Sequence, residues 1–158
     1  MKLKNLFLTI LTIFLFCGGE MKAADGDTFV AQTVEGVDMT FKIISEEEKT
    51  VQVGSGTKNT PAIADSIEGV LAVPLTIEWD DKDYSVVSIG NYAFYNCSSI
   101  VEIQIPESVT SIGTYAFYGC KGLTSVNIPE GIISIANYSF YNCTSLVSIE
   151  LPTSIKTI

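Results

Sequence analysis

Residues 88–110 read SIGNYAFYNCSSIVEIQIPESVT, residues 111–133 read SIGTYAFYGCKGLTSVNIPEGII, and residues 134–156 read SIANYSFYNCTSLVSIELPTSIK. One 23-residue sentence is written three times, and Thr157-Ile158 begins a fourth. Self-similarity at a fixed period of this size predicts a solenoid. Each unit is too small to bury an apolar face alone, and stacked units share one core.

The second copy shows how a unit works. In its strand, residues two apart share a side, so Val126 and Ile128 face inward while Thr124 and Asn127 face out. Pro129 lacks an N–H and ends the ladder. Ser111-Ile112-Gly113 makes a second short extended segment with Ile112 inward. Residues 114–120 (TYAFYGC) are expected to pack Ala116, Phe117 and Cys120 against the strand as a single helical turn. Gly119, with Asn96 and Asn142 at the matching places, suits an exit at positive φ. Stacking turns inward residues into ladders: Ile89, Ile112, Ile135; Phe94, Phe117, Phe140; Cys97, Cys120, Cys143.

Working outward, residues 25–66 read as a β-rich leader. Runs at 29–34 and 37–44, split by Glu35-Gly36, form a hairpin. A charged turn at 45–49, a strand at 50–53 and a breaker-rich loop at 54–66 follow. Residues 67–87 read as a degenerate first rung. Val73-Pro74 matches Ile105-Pro106, Ile128-Pro129 and Leu151-Pro152, but lies 32 residues before the first of these rather than 23. The excess is about the length of a hairpin at 76–87, its turn at 80–83 and Trp79 facing Tyr84. This rung is expected to cover the open N-terminal edge of the solenoid. Asp80, Asp81 and Asp83 lack the spacing, central Gly and distal Glu of a calcium loop and read as a solvated tip.

Residues 1–23 read as a secretory signal peptide. Lys2 and Lys4 precede an apolar run at 6–16, and Ala23-Ala24 offer the small-residue exit. The run is shorter than the roughly 20 residues a membrane span needs. Cys17 offers an alternative, a lipid-anchored N-terminus, against which the bulky Phe16 stands. Either route places the chain in the secreted or cell-surface class.

The formal charge is −9, every basic residue is Lys, and Arg and His are absent. Such a surface repels phosphate backbones, so no nucleic-acid partner is expected. Without His the commonest general base and metal ligand are missing. No cofactor or metal motif is present, and zinc is disfavoured because no C-x-x-C pair accompanies the three repeat cysteines. Those cysteines sit close enough across rungs for disulfides, but a reduced, buried ladder is preferred, since free Cys packs as a small hydrophobe and three leave one unpaired.

The repeated phrase S-I-G-x-Y-A-F-Y-x-C-x-x-L-x-S-I-x-I-P, most fully met at 111–129, resembles the BspA-like leucine-rich repeats of bacterial and protozoan surface antigens. Leu123, Val126 and Ile128 carry the spacing of the leucine-rich strand. Ala136 and Ser139 depart mildly, and Gly131 stands where the familiar Asn is absent. The resemblance implies a β-rich leucine-rich repeat solenoid behind a hairpin capping region. It also implies a non-enzymatic adhesion role towards host or bacterial surfaces.

Two candidate binding surfaces follow. The outward strand positions Val101, Glu102, Gln104, Thr124, Ser125, Asn127, Val147, Ser148 and Glu150 vary between copies while the inward ones do not. A varied face on a constant scaffold suits recognition of a protein or glycan. Tyr92, Tyr115 and Tyr138, with Tyr95, Tyr118 and Tyr141, form two columns that either bind or seal a convex flank. Three strands give a face of roughly 330 Å², against about 800 Å² per partner in a standard interface. The leader, further copies or further repeats would have to add to it. Self-association through an uncapped last rung is the alternative role. A glycosidase using Glu102 and Glu150, roughly 10 Å apart by rung spacing, lacks an enclosing pocket.

Overall fold

The computed structural model describes residues 23–63 and 67–157. The signal-peptide and Cys17 readings lie outside the described residues. Ten strands follow in order: β1 (Thr28–Gln32), β2 (Asp38–Ser45), β3 (Thr50–Val53), β4 (Gly69–Ala72), β5 (Thr76–Trp79), β6 (Lys82–Ile89), β7 (Ile100–Gln104), β8 (Ser111–Ile112), β9 (Ser125–Asn127) and β10 (Ser134–Ile135). They form two sheets. One runs β1-β2-β3-β6-β8-β10 with β5 also paired to β6, and the other runs β4-β7-β9. The result is a β-rich repeat solenoid in which the first two full rungs offer one short segment to each sheet and the third offers β10 to the first sheet alone.

The apolar period of two dictates which side of each strand is buried. Ile89, Ile112 and Ile135 stack in parallel register and are buried, as are Phe94 and Phe117 and the cysteines at 97, 120 and 143. The phenylalanine rings lie 5.2 and 5.0 Å apart and nearly parallel. None of the three cysteines is in a disulfide. The Cys120 and Cys143 thiols donate to the carbonyls of Phe94 and Phe117, one rung back, at 3.0 and 3.1 Å. The hydrogen bond with Cys143, then burial, pushes the Cys120 thiol up.

The leader extends the first sheet. β1 and β2 pair antiparallel across a turn in which Gly36 takes φ +83°, and β2 pairs antiparallel with β3. β3 runs parallel to β6 with Val53 opposite Ile89. It is therefore β3 that covers the N-terminal edge of the isoleucine column. The hairpin arm β5 does not. It lies on the other edge of β6, at Tyr84 and Ser85, upstream of the two residues that β8 uses. β6 is eight residues long, and its first half would otherwise have a bare edge there.

The hairpin register also differs from the sequence reading. The turn is two residues, Asp80 and Asp81, both left-handed at φ 53° and 56°. Left-handed pairs are the favoured tight hairpin link. The shorter turn sets Trp79 opposite Lys82 and Tyr84 opposite Ile77. Trp79 stacks instead on Phe29 of β1, with ring centroids 4.5 Å apart.

The helical turn is replaced as well. Residues 91–96, 114–119 and 137–142 are runs of turns, and no helix forms among the described residues. Tyr92, Tyr115 and Tyr138 take φ of 58°, 58° and 60°, which a right-handed helix forbids. The backbone N–H groups alternate. Those of Ala93, Tyr95 and Cys97 donate three residues back, while those of Tyr92, Phe94 and Asn96 donate across to Thr114, Ala116 and Tyr118. A helix would keep all of these bonds inside one copy; the alternation spends every second one on the next rung.

Candidate functional site

The sheet of β4, β7 and β9 carries the first candidate surface. Leu71, Ile103 and Val126 align on its inner side, and Ala72, Gln104 and Asn127 align on its outer side. Val70, Glu102 and Ser125 form a second outer row. Leu71 and Ile103 are buried, and Val126 is half-buried against the core. Of the sequence-derived positions, Val101, Gln104, Thr124, Ser125, Asn127, Val147, Ser148 and Glu150 are exposed and Glu102 is half-buried.

The third copy is less regular than its sequence suggests. Residues 147–150 pair with no ladder strand. Burial fades along the stack: Leu123 is buried while Leu146 is half-buried, and Ile128 is buried while Leu151 is exposed. Less apolar area is sealed there to hold the strand against β9. Val147, Ser148 and Glu150 therefore border the sheet rather than extend it. On the other side β4, from the degenerate first rung, adds a strand. It lies parallel to β7 with Leu71 opposite Ile103.

The face is acidic and apolar in patches. Val70, Val101 and Val147 are 59%, 43% and 95% exposed. Glu102 and Glu150 stand among them, and no lysine occupies the sequence-derived positions. Gln104 Nε2 donates to Glu102 Oε1 at 3.1 Å, and Thr124 Oγ1 donates to the Val101 carbonyl at 3.0 Å.

The tyrosines are arranged differently. Tyr92, Tyr115 and Tyr138 stack at 5.2 Å with interplanar angles of 9° and 6°. Tyr95, Tyr118 and Tyr141 stack at 5.0 and 5.4 Å. Within each copy the two rings meet edge-on at 5.6–5.9 Å. Ring faces are thus spent on neighbouring rings, and Lys58 Nζ sits 5.0 Å over Tyr95. An aromatic platform binds sugars or side chains through open faces, and this stack offers mostly edges. Tyr138 and Tyr141, 56% and 57% exposed, border a hollow of about 600 Å³ lined by residues 135–141.

A charged cluster in the leader had no sequence signal. Glu46, in the turn after β2, takes Lys49 Nζ at 2.5 Å, Lys82 Nζ at 2.9 Å and the Tyr84 hydroxyl at 2.5 Å. These three bonds, Lys49 foremost, hold its carboxyl at about 2. Burial, then the bond to Glu46, pushes the Tyr84 hydroxyl up to about 12. The cluster ties the β2–β3 turn to the β5–β6 hairpin and stands apart from both candidate surfaces in sequence.

The BspA type leucine rich repeat region (6 copies) matches residues 80–158. The chain belongs to this family. Among solved structures it is similar to a leucine-rich repeat protein of T. pallidum, at 25% identity and TM-score 0.63, over 80% of this chain and 52% of that one. A leucine-rich repeat protein from Bacteroides ovatus is 34% identical with TM-score 0.64, over 75% of this chain and 29% of that one. One from Bacteroides capillosus is 26% identical with TM-score 0.67, over 82% and 87%. This BspA-type chain spans about half the length of the treponemal protein and under a third of the B. ovatus protein. No curated protein matches it.

Proposed function

We propose that this BspA-type protein is a non-enzymatic binding module of the cell surface or secreted space, and that the outward face of β4, β7 and β9 binds a protein partner. The observation that carries the reading is the exposed set Val70, Val101 and Val147 interleaved with Glu102 and Glu150 on and beside a sheet whose other side is core. Apolar contact area with a polar, acidic surround suits an extended, basic segment of a protein. The apolar run at 6–16 and the family itself support the extracellular setting. Four strand-widths cover roughly 440 Å², still below the about 800 Å² of a standard interface. Binding through this chain alone is therefore weak, and gains strength from repetition.

The test is a binding screen of the chain against extracellular-matrix proteins stripped of their glycans, with the E102A/N127A/E150A triple variant beside it. Loss of a hit in the variant supports the face; binding unchanged by the triple replacement moves the site elsewhere. A second reading, self-association, rests on the apolar hollow beside Tyr138 and Tyr141. A single monomer mass by light scattering up to high concentration would dismiss it.

A further inference from the structure

The other sheet carries a row that the repeat alone does not reveal. Its ladders set Lys42 of β2 opposite Gln52 of β3, Gln52 opposite Ser88 of β6, Ser88 opposite Ser111 of β8, and Ser111 opposite Ser134 of β10. One residue on, Phe41, Val53, Ile89, Ile112 and Ile135 make the matching inward row. Period two thus puts five polar side chains from the leader and all three copies in a line on the outside. They are half-buried and, with Asn91, line an open groove of about 520 Å³.

Three features give the groove a chemistry. It is lined by hydroxyls, amides and backbone, with Lys42 as its one charged residue and no carboxylate. That is unusual in a chain with 18 acidic and 9 basic residues. Among the described residues no ion pair reaches Lys42. Among the described residues the hydroxyls of Ser88, Ser111 and Ser134 also have no protein hydrogen-bond partner, so their donor capacity is left to a ligand or to water. Asn91 accepts from the Thr114 N–H at 2.9 Å through Oδ1, which leaves its amide N–H groups for the groove.

The geometry points to a second binding site here, for an acidic oligosaccharide: a chain of hydroxyl-bearing rings with a carboxylate that pairs with Lys42. Serine hydroxyls repeated once per rung match a ligand that repeats its own hydroxyls. One unpaired ammonium matches one carboxylate, through a charge-assisted hydrogen bond. An apolar ligand would leave the row's donors unsatisfied. A nucleic acid would bring many charges to one lysine on a chain of net charge −9.

The test is isothermal titration of the full chain with a xylo-oligosaccharide bearing a single glucuronate and, separately, with its neutral methyl ester. We expect saturable binding of the acid, weakened about tenfold or more by K42Q and by the neutral ester. S111A weakens it while S111T, which keeps the hydroxyl, retains it. The E102A/N127A/E150A variant binds as the parent does, so this site and the one on the β4-β7-β9 face fail independently. No saturable binding, equal binding of acid and ester, or binding indifferent to K42Q would overturn the proposal. Circular dichroism of each variant separates lost binding from lost folding, and K42R, which keeps the charge, must retain binding.

Discussion

At the residue scale, Glu46 is where pH acts. Its carboxyl sits at about 2 in the fold against an ordinary value of 4.5, because Lys49, Tyr84 and Lys82 bond its charged form. A carboxyl with a depressed folded value contributes stability that is present above 4.5 and is lost as pH falls from there towards 2. The denaturant midpoint should therefore drop across that window, and E46Q should be less stable at neutral pH and flatter below 4.5. Tyr84 acts in the opposite direction. Its hydroxyl is held protonated up to about 12, so its contribution fades as pH rises from 10 towards 12. None of this was legible in the sequence, since Glu46 meets Lys82 and Tyr84 from 36 and 38 residues away. The phenylalanine ladder, by contrast, was plain from the repeat. Phe117 is fully buried between Phe94 and Phe140. Phe117→Ala should cost about 3–5 kcal/mol by chemical denaturation.

At the element scale, the turns decided what the sequence could and could not disclose. Asn96 and Asn142, with Gly119, announce positive φ by their residue type, and they adopt it. Tyr92, Tyr115 and Tyr138 also adopt it with no such announcement, because bulky residues disfavour that region. Their stacking holds them there, together with the bonds that the Tyr92 and Tyr115 N–H groups make to the next rung. A local reading of TYAFYGC finds a helical turn because it cannot see the neighbour that takes every second N–H. The Asp80-Asp81 link failed in the same way: a two-residue turn and a four-residue turn share the same acids but shift the register, moving Trp79 from Tyr84 to Phe29. Asn-Gly is the preferred pair for such a link. The D80N/D81G variant should raise the melting temperature, since Asn and Gly enter the left-handed region at less steric cost.

At the scale of the whole molecule, the period carries nearly all of the solenoid, and the leader carries what the period omits. β3 closes the edge of the isoleucine column, β4 widens the outward face, and Lys42 and Gln52 begin the row that Ser88, Ser111 and Ser134 continue. The β3 and Lys42-Gln52 junctions join unlike segments, so no self-similarity marks them, whereas the Val73-Pro74 match marks the rung that supplies β4. The buried thiols offer a check on the stack as a unit. The full chain has four cysteines, and Cys97, Cys120 and Cys143 are enclosed by neighbouring rungs. The three repeat thiols should react in denaturant, and those at 97 and 120 should stay silent in the native protein; fewer than three free thiols per mature chain in denaturant would contradict a reduced ladder.

The most direct test of the binding-face account is hydroxyl-radical footprinting of the chain with and without a protein found by the screen. The account predicts that Val70, Val101 and Val147 lose reactivity on binding while Tyr138 and Tyr141 keep theirs. Protection confined to the tyrosine columns, with the three valines unchanged, would contradict it.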